Sequence, residues 1–313
     1  MYTNPIFLKT VTPNVEGRDF VVGDIHGCFD EFERLLKHVK FDPEIDRVFC
    51  TGDLIDRGPK SYECLSLLKK KWFYSTLGNH EDMLLNKINA LRNGETKSLE
   101  NEDITFIKSL DKFSMDIVKM PLVYEIEHLL LDKVYIIHSE ILPEHIHSFS
   151  GDDLSSKEYQ RLFEAMKTYD FSKQIEDFFE KNKDLVLDYN LKQKILWGRK
   201  FASSFHKDHN DLIKKGDFSF LKQENIDQKI KVFCGHNVVP FPMKIGQQYY
   251  MDTGAALGYS QKQIKSYLFS QYGHEFFMLS MADITTGICY ACITSENRRF
   301  EIVRLEKSLY END

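Results

Sequence analysis

The fold is decided by the stretch at residues 19–39, which reads DFVVGDIHGCFDEFERLLKHV. It begins with a short run typical of a β-strand, turns between two glycines, and continues from Phe29 to Val39 with apolar residues at helical spacing. The same succession recurs twice, with strands predicted at 47–51 and 72–77 and helices at 61–70 and 81–91. Strands that alternate with helices through short connections predict a parallel βαβαβ core.

The pattern changes near Pro121. Two β-like runs, 122–126 and 133–137, flank a short polar break and predict a pair of strands. Further strands are predicted at 231–234, 248–251, 275–281, 288–294 and 300–305. We interpret the charge-mixed, mostly helical residues 144–195 as an insertion or cap within a single domain spanning residues 1–313.

The cap has two interpretations, a solvated surface element or a lid that controls access to a site. Its aromatic residues Phe178, Phe179 and Tyr189 would accordingly face the site or pack on the core. The sequence leaves both interpretations open.

Composition excludes several classes of protein. The chain has 313 residues, with 41 Lys and Arg against 48 Asp and Glu, a formal net charge of −7, and 42% hydrophobic residues. These values are typical of a globular protein, and the acidic balance disfavours a sequence-independent grip on nucleic acid. No apolar run approaches the roughly 20 residues of a membrane span, and residues 1–10 lack the apolar core of a secretory signal. We therefore expect a cytoplasmic monomer that binds neither nucleic acid nor membranes.

The six cysteines are scattered and do not predict a disulfide framework. Cys289 and Cys292 have the spacing of a redox or zinc pair, but they lie in a β-like run without a second pair. We expect them to lie on opposite faces of one strand, because strand side chains alternate.

Residues that can bind metal follow the predicted strands of the first half. The three motifs are Gly23-Asp24-Ile25-His26-Gly27, Gly52-Asp53-Leu54-Ile55-Asp56-Arg57-Gly58 and Gly78-Asn79-His80-Glu81. Later, His138 and His236 each follow another predicted strand. Because ligands bind at the carboxyl ends of strands in open α/β sheets, we expect these side chains to converge on one site.

The ordered series of three motifs resembles the calcineurin-like metallophosphoesterases, specifically the phosphoprotein phosphatase branch that includes the Ser/Thr phosphatases and the bacteriophage lambda type. The resemblance runs from Phe20 to Leu85 and resumes at 122–140, 197–199 and 232–258. It implies an α/β sandwich of two mixed β-sheets packed face to face and flanked by helices.

The resemblance also implies a centre of two divalent metal ions, with Mn²⁺ preferred and Fe, Zn²⁺, Co²⁺ or Ni²⁺ as alternatives. The implied ligands are Asp24, His26 and Asp53 for one ion, and the bridging Asp53 with Asn79, His138 and His236 for the other. A mixed set of nitrogen and oxygen donors suits these metals better than Ca²⁺. A hydroxide bridging the two ions would attack the phosphorus atom.

The same resemblance implies roles for four catalytic residues. His80 would be the general acid that protonates the leaving oxygen, and Asp56 would orient it. Arg57 and Arg199 would bind the phosphate oxygens, for which a planar guanidinium is well suited. The two cations and two arginines would give this site a sign opposite to that of the acidic surface.

Two positions depart from the common pattern of the family. His138 is followed by Ser139-Glu140, where many relatives have Ala-Gly or Ala-Asp, and His236 is followed by Asn237, where Thr is usual. Both changes alter the groups around the metal ligands. Glu140 would either repel an acidic substrate or bind an incoming base, and the sequence does not decide between these roles.

We therefore expect a metal-dependent phosphatase that acts on phosphoprotein side chains (Ser/Thr, and Tyr as a further option) or on small phosphomonoesters. The main alternative is a symmetrical bis(5'-nucleosyl)-tetraphosphate hydrolase. Those hydrolases tend to replace the acidic residues that stand here as Asp56 and Glu81, which favours the phosphatase. A non-catalytic metal-binding scaffold should lack ligands that are all present, and the absence of a basic tract disfavours a nucleic-acid phosphodiesterase.

Overall fold

The structure is a computed structural model that describes residues 6–95, 99, 103–142, 161, 165, 171–182, 189–200, 202–203, 207, 211, 230–246, 248–259, 277–294, 302–304 and 308–310. Its strands are β1 (Leu8–Val11), β2 (Asp19–Val22), β3 (Arg47–Cys50), β4 (Phe73–Ser75), β5 (Val123–Glu127), β6 (Lys133–Ile137), β7 (Ile230–Cys234), β8 (Met243–Ile245), β9 (Gln248–Tyr250), β10 (Phe277–Asp283), β11 (Cys289–Thr294) and β12 (Ile302–Arg304). Its α-helices are α1 (Phe29–His38), α2 (Ser61–Ser66), α3 (Asn79–Arg92), α4 (Ile104–Leu110), α5 (Ser114–Ile117), α6 (Ser172–Asn182) and α7 (Tyr189–Trp197). Short 3-10 helices lie at Leu67–Lys69, Asp111–Phe113 and Ala255–Tyr259.

The strands form two mixed sheets of six strands each. Sheet I has the order β1-β5-β6-β7-β9-β8, and sheet II has the order β12-β11-β10-β2-β3-β4. The predicted parallel core is present as β2, β3 and β4, and the predicted strand pair is the antiparallel hairpin of β5 and β6. The predicted class, two mixed sheets flanked by helices, is confirmed.

One apolar layer lies between the sheets and holds them face to face. Val21 and Phe49 of sheet II belong to the same buried cluster as Tyr124, Phe233 and Tyr249 of sheet I. The ring centroids of Phe49 and Tyr124 are 5.8 Å apart across this layer. Because side chains alternate along a strand, neighbouring residues of β2 and β3 point the other way and belong to a second cluster that includes residues of α1 and α2.

The two cysteines of β11 illustrate the same alternation. Cys289 belongs to the cluster between the sheets, and Cys292 belongs to the cluster on the helical side. All six cysteines are buried and free, so the expectation of no disulfide framework is confirmed.

Some predicted boundaries were wrong. Strands β1 and β8 were not predicted, since β8 has only three residues and β1 is a half-exposed edge strand that pairs with β5 alone. Helix α3 begins at Asn79 rather than at residue 81. The reason is that Gly78 caps the helix and the Glu81 side chain accepts from the Gly78 amide, which places two predicted site residues in the first turn.

The predicted cap at 144–195 falls largely outside the described residues. Its described parts include α6 and α7, where Phe178 and Phe179 are buried and Tyr189 is 69% exposed. Phe179 packs on Tyr135 of β6 with a centroid distance of 4.3 Å, so these two phenylalanines pack on the core. None of the helices in the described part of the chain is long and apolar enough to span a bilayer.

The packing of α6 leads to a stability prediction. We expect Phe179→Ala to lower the free energy of unfolding by about 3–5 kcal/mol, because the ring is fully buried and its removal leaves a cavity. Urea denaturation of the full chain measures this loss. The control Tyr189→Ala should change the stability by less than about 0.5 kcal/mol, since that ring is exposed. Equal small losses for both variants would show that α6 does not rest on the core.

Candidate metal and active site

The carboxyl ends of parallel strands from both sheets meet at the predicted site. The backbone amide of His236, after β7 of sheet I, donates to Asp24 Oδ2, after β2 of sheet II, at 2.9 Å. The ring of His138, after β6 of sheet I, lies 2.8 Å by its Nδ1 from the carbonyl oxygen of Thr51, after β3 of sheet II. The two sheets therefore share one cluster of polar side chains at this edge.

Unusual backbone conformations concentrate here. Among the described non-glycine residues with positive φ, all but Lys40 are predicted site residues: His26 (44°), Asp53 (50°), Asp56 (69°), Arg57 (69°) and His236 (62°). Such a conformation costs an L-residue roughly 1–2 kcal/mol. This strain is maintained by the surrounding hydrogen bonds and indicates a site in which side-chain direction matters more than local stability.

Two glycines allow ligand side chains to approach the backbone. A Cβ atom on Gly235 would lie 1.9 Å from Asp24 Oδ1, and one on Gly78 would lie 2.2 Å from Asp53 Oδ1. Any side chain at these positions would displace the two carboxylates. The glycines of the sequence motifs thus make the room that the acidic groups occupy.

Two groups of potential ligand atoms meet at one shared carboxylate. His26, Asp53 and His80 form the first group, and Asp53, His138 and His236 form the second, with the ligand atoms of each group within 4.8 Å of one another. Asp53 belongs to both groups, and an aspartate has two oxygens that can each meet a cation. This arrangement is compatible with a binuclear metal centre.

Two histidines are held in the form that binds a metal. His26 Nδ1 donates to the Ile55 carbonyl at 2.6 Å, and His138 Nδ1 donates to that of Thr51, since a carbonyl can only accept. Each Nε2 atom then directs a lone pair toward the cluster. Burial lowers the pKa of His26 well below its usual value and that of His138 to about 3, so both rings are neutral.

His236 gives the strongest indication that the cluster can bind a cation. Its Nε2 atom is buried, and within the part of the chain that the structure describes it has no hydrogen-bond partner. Burial, with the neighbouring His138 and arginines, lowers the pKa of His236, so the ring is neutral. An unpaired buried acceptor is costly, and a divalent cation with nitrogen ligands would satisfy it. The residues present therefore fit the metal centre that the sequence predicts.

Asn79 and Asp24 complete the predicted ligand set in different ways. Asn79 Oδ1 lies 2.8 Å from His138 Nε2, so that two acceptor atoms face one another beside the shared carboxylate. Asp24 lies outside both groups of converging atoms. Its oxygens accept from Thr51 Oγ1 at 2.7 Å and from the His236 amide, and burial beside Asp252 and Asp53 raises its pKa well above the usual value. A divalent cation nearby would favour its ionised form.

His80, Asp56 and Arg57 form a connected set beside Asp53. His80 Nδ1 donates to Asp56 Oδ2 at 2.6 Å, which fixes the direction of the ring. Arg57 reaches His80 Nε2 at 3.1 Å with one amino group and His26 Nε2 at 3.0 Å with the other. The structure thus brings together an acid–base pair and a cationic fork at the edge of the candidate metal centre.

The sequence did not assign a role to Glu81, which the structure places next to the loop that carries Asp53. Its carboxylate is buried and accepts three backbone amides: those of Asp53 (2.9 Å), Leu54 (2.8 Å) and Gly78 (3.1 Å). Burial raises the pKa of Glu81 to about 8. The three amide bonds tie the loop after β3 to the start of α3, which keeps Asp53 and His80 in register. A glutamate three residues after the capping residue of a helix is typical of a capping box, and this pattern in the sequence could have indicated the role of Glu81.

Arg199 lies on the outer side of the cluster. Its side chain is exposed, and Nη1 donates to the His236 carbonyl at 3.2 Å. The structure therefore places this predicted residue beside a candidate metal ligand. Trp197, two residues earlier, meets the His236 ring edge-on at a centroid distance of 5.8 Å.

Glu140, whose role the sequence left open, is held inside the protein by hydrogen bonds. Its side chain is buried, and Oε2 accepts from the Ala202 amide and from the Tyr250 hydroxyl, each at 2.9 Å. A carboxylate enclosed by these partners is not available for direct contact with a substrate. Local sequence could not reveal this, because both partners are distant in the chain.

Comparison with known proteins identifies the family. The model of the calcineurin-like phosphoesterase family matches residues 20–240, more than half of the chain, so the chain belongs to this family. The match includes β2 through β7 and every predicted site residue. Relatives that carry phosphatase names match parts of the same region.

Two similar curated proteins carry different names. "Serine/threonine-protein phosphatase 1" of Salmonella typhimurium is 52% identical over 66 residues, which cover 21% of this chain and 31% of that protein. "Bis(5'-nucleosyl)-tetraphosphatase, symmetrical" of Actinobacillus succinogenes is 37% identical over 130 residues, which cover 40% of this chain and 45% of that protein. The chain spans less than half the length of each of these relatives.

Among solved structures, a cold-active protein tyrosine phosphatase is 13% identical, with a TM-score of 0.43. The match covers 97% of this chain and 81% of that one. This likeness is too loose to bear on function.

Proposed function

We propose that this protein is a metal-dependent phosphomonoesterase that acts on phosphorylated protein side chains. The observation that carries the proposal is the His80–Asp56 hydrogen bond of 2.6 Å, set beside the carboxylate shared by two groups of metal-binding atoms. A phosphatase needs a proton donor for the leaving oxygen and a cationic site for the phosphoryl group. Both lie within one cluster here.

The proposed metal ligands are Asp24, His26, Asp53, Asn79, His138 and His236. Neutral buried imidazoles, an amide oxygen and carboxylates form a donor set that suits Mn²⁺ and its neighbours in the first transition row. When bound, two such cations would lower the pKa of a coordinated water and offset the charge of the phosphoryl oxygens.

His80 is the proposed general acid. Its Nδ1 proton is committed to Asp56 and its Nε2 atom accepts from Arg57, so His80 would act as the acid after Nε2 takes up a proton. Asp56 is partly exposed, and its hydrogen bond fixes the direction of the His80 ring. With Nε2 directed toward Arg57 and the centre, His80 can donate to an alkoxide or phenoxide oxygen as its bond to phosphorus breaks.

Arg57 and Arg199 are the proposed phosphate-binding residues. Arg57 enters from the loop after β3, and Arg199 enters from beyond α7, so the two guanidinium groups come from different elements of the fold. A planar fork binds two phosphoryl oxygens at once, and the binding strengthens as charge develops in the transition state. The acidic surface of the protein does not oppose this, because the site itself is cationic when loaded.

The alternative function is hydrolysis of symmetrical dinucleoside tetraphosphates, which the second relative's name supports. Two residues, Asp56 and Glu81, favour the monoesterase. The family resemblance implies that tetraphosphate hydrolases tend to replace the acidic residues at these two positions. Asp56 holds the proposed acid, and Glu81 holds the loop that carries Asp53. A non-catalytic scaffold is disfavoured because each of these groups is present and connected.

A substrate panel tests the choice. With the Mn²⁺-loaded full chain, we expect kcat/KM for a phosphoserine or phosphothreonine peptide and for an aryl phosphate to exceed that for diadenosine tetraphosphate by at least about tenfold, a difference of about 1.4 kcal/mol in transition-state binding. Chelation of the metal should abolish all three activities, and added Mn²⁺ should restore them. Preference for the tetraphosphate by orders of magnitude would assign the alternative function.

A further inference from the structure

The segment that carries Arg199 is held by three buried polar residues. We define the Arg199 segment as residues 195–200 and 202, which include the end of α7 and the turn beyond it. Ser139, Glu140 and Asn237 each form a hydrogen bond to the backbone of this segment. Ser139 and Glu140 directly follow the proposed ligand His138, and Asn237 directly follows the proposed ligand His236.

Ser139 bonds to the segment twice. Its hydroxyl donates to the Ile195 carbonyl and accepts from the Gly198 amide at 3.1 Å. The side chain is fully buried, so water does not compete for these bonds. Gly198 packs directly on this residue: a Cβ atom there would lie 3.0 Å from Ser139 Oγ and 3.2 Å from the Glu140 carbonyl oxygen. The segment therefore lies in close backbone contact with the residues after β6.

Asn237 and Glu140 hold the segment on either side of Arg199. Asn237 Nδ2 donates to the Gly198 carbonyl at 2.9 Å, and Glu140 Oε2 accepts from the Ala202 amide at 2.9 Å. The residue before Arg199 and a residue three positions after it are thus both fixed to loops that carry proposed metal ligands. Each contact is buried, and each joins residues at least 39 positions apart in the chain.

We propose that Ser139, Glu140 and Asn237 are positioning residues that set the place of Arg199 relative to the metal centre and so determine the affinity for the phosphoryl group. The inference rests on the proposed function, because it takes Arg199 as a phosphate-binding residue. An exposed arginine on a loosely held segment would lose conformational freedom when it binds phosphate. Four buried hydrogen bonds to the backbone of the segment reduce that loss before the substrate arrives.

Two of the departures from the family pattern, Ser139 and Asn237, meet at one residue of the segment. Alanine, the residue that many relatives have in place of Ser139, has no hydroxyl to receive the Gly198 amide. Ser139 and Asn237 bind the two sides of one residue, the Gly198 amide and the Gly198 carbonyl. The three side chains act on one segment, and none of them is a metal ligand.

The test measures binding of inorganic phosphate to the Mn²⁺-loaded full chain by calorimetry, together with steady-state kinetics on an aryl phosphate. Asn237→Ala should weaken phosphate binding and raise KM by about fivefold, the effect of one buried hydrogen bond, with kcat changed less than about twofold. Asn237→Thr, which restores a hydroxyl donor, should recover most of the affinity. Ser139→Ala, which loses two bonds, should have the larger effect.

A double-mutant cycle with Arg199→Ala separates positioning from general damage. In the Arg199→Ala background, Asn237→Ala should cost less than about twofold in phosphate affinity, because its effect passes through the missing guanidinium. Fully additive losses would overturn the proposal. So would a loss of Mn²⁺ affinity in Asn237→Ala, which would show action through His236. An Arg199→Ala variant that binds phosphate as the wild type does would also overturn it.

Two controls keep the outcomes distinct. Tyr135→Phe removes a buried hydroxyl, which donates to Glu125 Oε2 at 2.9 Å, from the same strand that leads to Ser139. Tyr135→Phe should lower the stability of the protein without changing its affinity for phosphate. A fivefold loss of phosphate affinity in this control would mean that the loss of any buried hydrogen bond weakens phosphate binding. Because phosphate binding is measured without turnover, an inactive wild type would contradict the proposed function while the cycle still tests the positioning of Arg199.

Discussion

Asp53→Asn is expected to reduce kcat/KM by at least about a thousandfold, roughly 4 kcal/mol, and to lower the number of bound metal ions. Asp53 is the carboxylate shared by both groups of potential ligands: Oδ2 lies 3.3 Å from His26 Nε2, and Oδ1 lies 3.6 Å from His138 Nε2. Asparagine keeps the shape of the side chain but loses the charge and one oxygen. The measurement is steady-state kinetics together with the metal content of the dialysed protein.

The matched control for this variant is Asp46→Asn. Asp46 is also a buried carboxylate, but it pairs with Arg18 at 2.6 Å, away from the site. Its replacement should lower the stability and leave metal content and activity per folded molecule unchanged. If Asp53→Asn retained two metal ions and wild-type activity, the centre would not be built on this carboxylate.

His80→Asn is the second change with a large expected effect. We expect kcat to fall by about 10²–10⁴-fold with the metal content retained, because the substitution removes the proposed proton donor. The loss should be smaller for an aryl phosphate with an acidic leaving group, which departs without protonation, than for a phosphoserine peptide. A kinetic comparison of these two substrates measures that difference.

A histidine away from the site provides the control. The ring of His128 accepts from the Leu130 and Leu131 amides at 3.1 Å and 3.2 Å and contacts Thr285. We expect His128→Asn to leave both activities within about twofold of the wild type, as for a substitution outside the site. Unchanged Mn²⁺-supported turnover in His80→Asn would remove this residue as the acid. A wild type with no turnover at all would instead favour the scaffold.

The sequence alone predicted the groups proposed for the chemistry of the site, and it predicted the core of the fold. The parallel strands β2, β3 and β4 and the ligand-bearing turns after them could be predicted because each depends on a short segment. A β-like run, a glycine and a polar residue at fixed spacing specify a strand end whatever the rest of the chain does. For the same reason Asp24, His26, Asp53 and His80 could be named from their motifs. The last three belong to the groups of converging ligand atoms, and Asp24 bonds to Thr51 beside them.

The tertiary structure alone decided how the distant parts meet. The amide of His236 reaches Asp24, and the His138 ring reaches the Thr51 carbonyl, only because the two sheets pack face to face. Local sequence could not show that Glu140 binds the Ala202 amide, or that Ser139 and Asn237 bind Gly198. Contacts of this kind depend on packing between elements far apart in the chain, which no local propensity encodes. The sequence therefore supplied the groups that we propose for the chemistry, and the packing of the sheets determined which groups contact them.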